Sequence, residues 1–440
     1  MSQKPRFGFH NISGARLEPV RDFLFSVCLA AFPLFFLSIK GWTNVFLFLL
    51  VLLSAAYWRE LKEIFRGKRL DRPAWAVILT LASGTVAILV AQAIRGEPSP
   101  RDLDGPSRML LAIPVFLVVL QRRIDFVRAF QYVCPISLLI AALVVTFWPA
   151  ARIDGRYATS FVDPITFGNY ALVLGFMSFL SIDILSRDRP VIRALKLCGL
   201  VMGIFLSIWS QSRSGWLAVP FLVVFWLLAY RGSLSTAARA AFVGASLGIV
   251  AATYYFLDLF RDRIDSAVES LLSWWTGANP DTAVGYRLTL WRIALVLFSK
   301  RPLAGWGDQG YIPALQTDPD IAALATPLAR RVMYVGPHNE ILAGMVQAGV
   351  FGLLYKLILF VVPLAIFLKA VRSDSTHAHA AGMLGAGLVI GLFICGFFGE
   401  QVFYLKFQSS FYGLMIASLC GVALWDSGQR GAGGRPIAAS

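Results

Sequence analysis

Runs of apolar residues long enough to cross a bilayer recur along this chain. A membrane helix needs roughly 20 such residues, and about 17 suffice. Runs at 23–39, 42–58, 74–94, 109–120, 127–149, 165–185, 194–212, 214–230, 240–259, 350–369, 381–398 and 402–424 meet or approach that length, the fourth being short. Composition agrees. Of 440 residues, 57% are hydrophobic and 15% charged, against about a quarter charged in an ordinary soluble domain. A soluble protein could not cover so much apolar surface. The expected fold is all-α: a polytopic membrane protein of about 12 transmembrane helices. The opening stretch is polar, with Lys4, Arg6 and Arg16, and no small-residue cleavage site follows the first run. That run is therefore expected to remain as an anchor.

The net charge of +15 does not indicate nucleic acid, because the basic residues lie in connections between apolar runs. Such residues collect on the cytoplasmic side and face anionic lipid. The connection Arg59–Arg72 carries Arg59, Lys62, Arg66, Lys68, Arg69 and Arg72. Later even-numbered connections carry Arg122, Arg123 and Arg128, then Arg187, Arg189, Arg193 and Lys196, then Arg231 and Arg239, then Lys369 and Arg372. With both termini inside, all of these face the cytoplasm. Dropping the short fourth run would reverse every later one.

The same orientation places a long segment, 260–349, outside. The expected division is 1–259 with nine helices, 260–349 as the outer loop carrying the candidate residues, 350–424 with three helices, and a Gly-rich cytoplasmic tail at 425–440. Within the outer loop, 262–275 and 286–299 read as helices, the second ended by Lys300-Arg301-Pro302. Arg287, Trp291, Ala294 and Phe298 share a face of the second, as an interfacial helix would have it.

Outward connections normally avoid arginine, yet Arg152, Arg156, Arg213, Arg261, Arg263, Arg287, Arg292, Arg330 and Arg331 all fall there. Arg213 is the sharpest, in Ser212-Arg213-Ser214-Gly215 between two apolar runs. An arginine beside hydrocarbon either snorkels to headgroups or marks a functional site. Its planar fork suits phosphate oxygens. His338 stands in Gly336-Pro337-His338-Asn339-Glu340, just before an apolar run. Asn339 is a ready helix cap, and His338 is either its neighbour or a proton-moving group. His10 lies in the polar start, and His377 and His379 lie in a cytoplasmic connection with no third ligand nearby.

Other patterns carry less. Gly305–Gly310 matches GxGxxG, but it follows a helix and lacks the βαβ context of a nucleotide site. Asp102/Asp104 and Asp318/Asp320 have DxD spacing that could hold a divalent metal, although chance pairs are common. Lys356 and Lys406 lie near the outer boundary, where each can snorkel. Cys28, Cys134, Cys198, Cys395 and Cys420 fall inside apolar runs without CxxC spacing, so neither a disulfide framework nor a zinc site is expected. No span carries a carboxylate near its middle, which disfavours a transporter.

Taken in order, several elements together resemble the bacterial O-antigen ligase and polymerase superfamily. They are Ser212–Gly215 closing a span, Arg287 with Trp291 in a long outer loop, Arg301–Gly307, Pro337–Glu340 and Gly349–Gly352. The likeness covers roughly 200–370, and Arg156 to Tyr170, with Asp163 and Asn169, is similar more loosely. The resemblance implies a lipid-linked glycosyltransferase of the inner membrane, with its site facing the periplasm. It implies a donor glycan on undecaprenyl pyrophosphate and, for a ligase, a lipid A-core sugar as acceptor. His338 then corresponds to the general base, and Arg213 and Arg287 to donor-pyrophosphate ligands, with Arg156 and Arg292 as further candidates. Ser212, Trp291 and Asn339 are expected to support them. No cofactor and no metal are implied. A polymerase or a protein O-oligosaccharyltransferase would use the same donor.

Overall fold

The computed structural model describes residues 12–66, 70–148, 155–230, 235–308 and 310–425. Arg152, Lys68, Arg69, Arg231, His10 and the tail after Trp425 lie outside the described residues. All regular structure among the described residues is helical. The first half runs α1 (Ile12–Ala31), α2 (Trp42–Ala55), α3 (Trp58–Arg66), α4 (Arg72–Arg95), α5 (Pro100–Leu111), α6 (Ile113–Arg122), α7 (Phe126–Phe147), α8 (Pro164–Leu180), α9 (Pro190–Ser210), α10 (Arg213–Ala229) and α11 (Thr236–Phe256). A long connection follows with α12 (Asp258–Trp275), α13 (Gly285–Lys300), α14 (Tyr311–Thr317), α15 (Pro319–Leu324) and α16 (Pro327–Val332). The chain closes with α17 (Glu340–Ala370), α18 (Thr376–Phe398) and α19 (Lys406–Ala423).

Seven helices among the described residues are long and apolar enough to cross a membrane, or eight if the bent pair α2–α3 counts as one. α8 and α10 are shorter apolar helices. The short run at 109–120 proves to be part of a longer unit, because α5 and α6 together make one candidate span, Pro100–Arg122. The first run also differs: α1 ends at Ala31 and the chain turns repeatedly before α2. Peripheral helices expose large apolar side chains, among them Leu217, Phe221, Val224 and Leu228 on α10. In water such a surface would aggregate; against lipid tails it costs nothing.

α18 is the central helix, with 78% of its most apolar stretch buried, and α19 is buried along most of its length beside it. Lipid supplies no hydrophobic drive between helices, so close backbone packing has to hold them. At the α8–α9 contact a Cβ on Gly203 would lie 2.6 Å from the Ala171 carbonyl oxygen and 2.7 Å from Gly175 Cα. Lys196 is not a loop charge. It is fully buried on α9, where its Nζ donates to both Asp188 carboxylate oxygens, Gln131 Oε1 and the Ser181 carbonyl at 2.7–2.9 Å.

α17 is not straight. Ala348 and Gly349 have non-helical backbone angles, Gly349 at φ +60°. In a continuous helix Glu340 and Lys356 would stand about 24 Å apart. Instead they form a buried ion pair, and Gly344 packs on Gly352. The chain therefore doubles back at Gly349, and residues 340–347 form a short limb against the long limb 350–370. Lys356, expected to snorkel, is neutralised inside this hairpin. The hairpin turn is bound by the glycine-rich segment: Val350 N–H donates to Pro302 O (2.7 Å), Trp306 N–H to Val346 O (2.7 Å) and Gly307 N–H to Gln347 O (3.0 Å). A Cβ on Gly305 would lie 2.5 Å from Val346 O. The GxGxxG match is thus a cradle for a helix turn.

The connection between α11 and α17 has a core of its own. Leu290, Ile293, Ala294 and Leu297 of α13 bury against Tyr311, Ala314, Ile321, Ala329 and Met333. The apolar face of α13 is therefore spent inside this subdomain and on α17.

Candidate functional site

The site forms where the α9–α10 turn, α12, α13, the start of α17 and the α18–α19 connection meet. Gln211 adopts φ +56°, which lets the chain reverse between α9 and α10 with almost no loop. Ser212 Oγ donates to Ile165 O (3.0 Å) and bonds Asn169 Oδ1 (2.6 Å), and Ser214 Oγ bonds the same Oδ1 (2.9 Å). These bonds fix the turn on α8 and set the direction of Arg213, the first residue of α10. Gly168 has to be glycine, because a Cβ there would overlap Ser210 Oγ.

Arg156 reaches the same turn. Its Nε donates to Ser210 O (2.9 Å) and Nη2 to Gln211 O (3.3 Å). Arg263 on α12 donates through Nε to Gln211 Oε1 (2.6 Å). Arg287 on α13 keeps a buried Nε with no hydrogen-bond partner among the described residues. Arg213 lies in the field of Arg263, Arg287 and Arg156. Among the described residues no carboxylate is within ion-pair distance of Arg156, Arg213 or Arg287. Burial, with Arg263 and Arg287 adding to it, lowers Arg156 from the ordinary guanidinium range to about 10. Partly buried guanidinium groups such as Arg156, Arg213 and Arg287, without a carboxylate at ion-pair distance, are costly unless an anion joins them.

His338 is the second centre. It holds φ +50°, which is rare for a non-glycine residue and is often found at functional sites. Its Nδ1 is 2.6 Å from Glu400 Oε2, and both side chains are buried. Glu400 Oε1 in turn accepts the Gln401 N–H (3.1 Å). A carboxylate beside Nδ1 makes that nitrogen the donor, which leaves the lone pair on Nε2. Nε2 is buried without a hydrogen-bond partner among the described residues. The Tyr286 ring stands edge to face against the imidazole at 5.5 Å, and Tyr286 also lies in the electrostatic neighbourhood of Arg156 and Arg213. Asp163, the cap of α8, is raised above the usual carboxylate range by burial and then by the charge of Glu400.

The supporting residues anchor this arrangement. Trp291 Nε1 donates to Pro337 O (2.9 Å), Gln401 Nε2 to Val335 O (2.7 Å) and Asn339 Nδ2 to Phe397 O (2.8 Å). Asn339 Oδ1 caps α17 by accepting from Ile341 N–H and Leu342 N–H, both at 3.0 Å. Of the expected site residues, Arg156, Arg213, Arg287, His338, Ser212, Trp291 and Asn339 come together. Arg292 does not: it is exposed on α13, turned away from the face that carries Arg287 and Trp291. The DxD pairs are engaged elsewhere. Asp318 and Asp320 bind Lys300, Asp102 lies 3.6 Å from Arg95, and Asp104 binds Arg108 and Lys406. Glu400, Gln211 and Tyr286 were not expected. Glu400 had a legible signal, a lone charge in the few residues between two apolar runs, as Arg213 is.

Apolar helices of membrane-crossing length define a multi-pass membrane protein, and its candidate site gathers several arginines beside a buried histidine. Residues 198–357 match the family described as O-antigen ligase, whose members are glycosyltransferase-like membrane enzymes. The match takes in Arg213, Arg263, Arg287 and His338, whereas Arg156 and Glu400 lie outside it. An uncharacterized protein of Haemophilus influenzae is 23% identical over 314 residues, which is 70% of this chain and 74% of that protein.

Proposed function

We propose that this protein is an O-antigen ligase of the inner membrane, with its site facing the periplasm. It transfers a glycan from undecaprenyl pyrophosphate to a sugar hydroxyl of lipid A-core. The observation that carries this reading is the pairing of two unlike centres: Arg156, Arg213 and Arg287, without carboxylate partners among the described residues, and a buried histidine held by a carboxylate. The acceptor hydroxyl attacks the anomeric carbon of the donor. As the new C–O bond forms, the bond from that carbon to the pyrophosphate oxygen breaks, and the hydroxyl proton passes to His338 Nε2. Glu400 holds the resulting imidazolium through Nδ1–H. Negative charge grows on the departing pyrophosphate, where Arg213, Arg287 and Arg156 stabilise it. A single displacement of this kind inverts the anomeric centre.

The recess matters to this chemistry. Glu340 lies beside Lys356, seven residues beyond the hairpin turn, which sets His338 roughly 10 Å below that turn along the bundle. Fixed charges act more strongly where water is thin. The arginines take the role that a metal fills in many glycosyl transfers, so transfer is expected to survive a chelator.

The deciding experiment supplies purified protein and lipid-linked donor with lipid A-core, a second donor glycan, or a protein substrate. Glycosylation of lipid A-core supports the ligase. Extension of the donor glycan or modification of the protein would reassign it, and no transfer with any acceptor would overturn the reading.

A further inference from the structure

A cavity of about 550 Å³ lies beside the His338 centre, between α4, α5, the hairpin of α17 and the start of α19. Pro337 and Gln401, the immediate neighbours of His338 and Glu400, form part of its wall, whereas His338, Glu400, Arg156, Arg213, Arg263 and Arg287 do not.

The charges around the cavity are neutralised within it. Lys356 pairs with Glu340, Lys406 with Asp104 and Arg101 with Asp308. Asp102, 4% exposed, also lines the cavity, and its Oδ2 lies 3.6 Å from Arg95 without a hydrogen-bond partner among the described residues. The walls add the side-chain amides of Gln347 and Gln401 and the exposed ring of Tyr334. A pyrophosphate gains nothing from such walls. A ligand rich in hydroxyl groups does, since it can donate to buried carboxylate and amide oxygens and lay a C–H face on tyrosine. The volume lies within the range of small-ligand sites.

We propose that this cavity is a saccharide-binding site that holds the acceptor oligosaccharide beside the His338 centre. The identity of the sugar as an acceptor rests on the transfer reading above; saccharide binding in the cavity does not. The chemistry is that of uncharged sugar rings, and two sources share it, the acceptor and the glycan of the donor.

The test measures binding of delipidated core oligosaccharide to the detergent-purified full-length protein without donor, beside pyrophosphate binding read as thermal stabilisation. Gln347→Ala and Tyr334→Ala alter the cavity wall without touching the arginines or His338. Each is expected to weaken oligosaccharide binding about tenfold, to raise the acceptor KM to match, and to leave pyrophosphate stabilisation unchanged. Unaltered oligosaccharide binding in both variants, or none by the native protein, overturns the proposal. So does a rise in donor KM with acceptor KM unchanged, because the donor glycan would then be the occupant. If the oligosaccharide binds as expected and no acceptor is glycosylated, the cavity stands as a sugar site and the transfer reading falls.

Discussion

At the residue scale, His338 and Glu400 act as one unit. Glu400→Gln removes one charge with little change of shape, but its amide can place an N–H opposite Nδ1. That arrangement favours the tautomer protonated on Nε2, which leaves no base facing the substrate. Loss of a general base costs ~10²–10⁴-fold in rate. His338→Ala and Glu400→Gln are therefore both expected to reduce transfer by at least 10²-fold while donor affinity persists, and Glu400→Asp to recover part of it. Donor affinity measured on each purified variant is the check, and a large loss of binding in His338→Ala would make the histidine a donor ligand. The arginines follow a different rule. Arg156, at about 10, stays cationic across the assay range, so on its account donor affinity is flat from pH 5 to 8.5. Its folded-state pKa is lowered, so its cost to stability is present in full below 10 and is relieved only above that. A bound anion removes the same cost at neutral pH. Arg213→Lys and Arg287→Lys keep the charge but lose the fork, so donor affinity is expected to fall strongly in both. Full transfer by both variants would show that neither grips phosphate. Arg213 and His338 could be singled out in the sequence because each is a polar residue out of place. The Glu400 partnership could not be read, since 62 residues separate it from His338.

At the element scale, the helical hairpin of α17 decides the depth of the site. Its reversal depends on Gly349, which holds φ +60° and where an added Cβ would lie 2.4 Å from Pro302 O and 2.5 Å from Leu303 O. Few side chains tolerate that backbone, and the strain is on the order of 1–3 kcal/mol before any clash is counted. Gly349→Ala is expected to lower the unfolding temperature in detergent and to reduce transfer together with it, because the short limb carries Asn339 and Glu340 to their places. Native stability in that variant would mean that the turn does not require glycine. The reversal also explains what sequence could not reveal. Periodicity places apolar residues on both sides of Gly349 and does not distinguish a longer helix from a hairpin. Lys356 therefore read as a snorkelling residue at a boundary rather than as the buried partner of Glu340. Arg301–Gly307 and Gly349–Gly352 were legible as matching segments, but their contact is what gives both sets of glycines a purpose.

At the scale of the whole molecule, orientation follows from charge and from the site together. The α2–α4 connection, the C-terminal end of α6 and the N-terminal end of α9 carry basic residues, which the positive-inside tendency would hold in the cytoplasm. α12 to α16 lie at the opposite end of the bundle, where Arg213, His338 and Glu400 converge. That pattern predicts twelve spans with both termini inside and the whole 260–349 segment outside. Substituted cysteines, introduced one at a time after the five native cysteines are changed to alanine, test it. Asp320 is 76% exposed at its side chain, so Asp320→Cys in intact cells with permeabilised outer membranes is expected to react with an impermeant maleimide. Lys62→Cys, exposed on α3, is expected to react only after the inner membrane is opened. Labelling in the reverse order would place the arginine cluster in the cytoplasm. A donor flipped to the periplasmic leaflet could not then reach it, and the ligase proposal would fall with the topology. Labelling of both positions from outside would instead break the alternation between α3 and α15 and remove an odd number of crossings from the count of twelve.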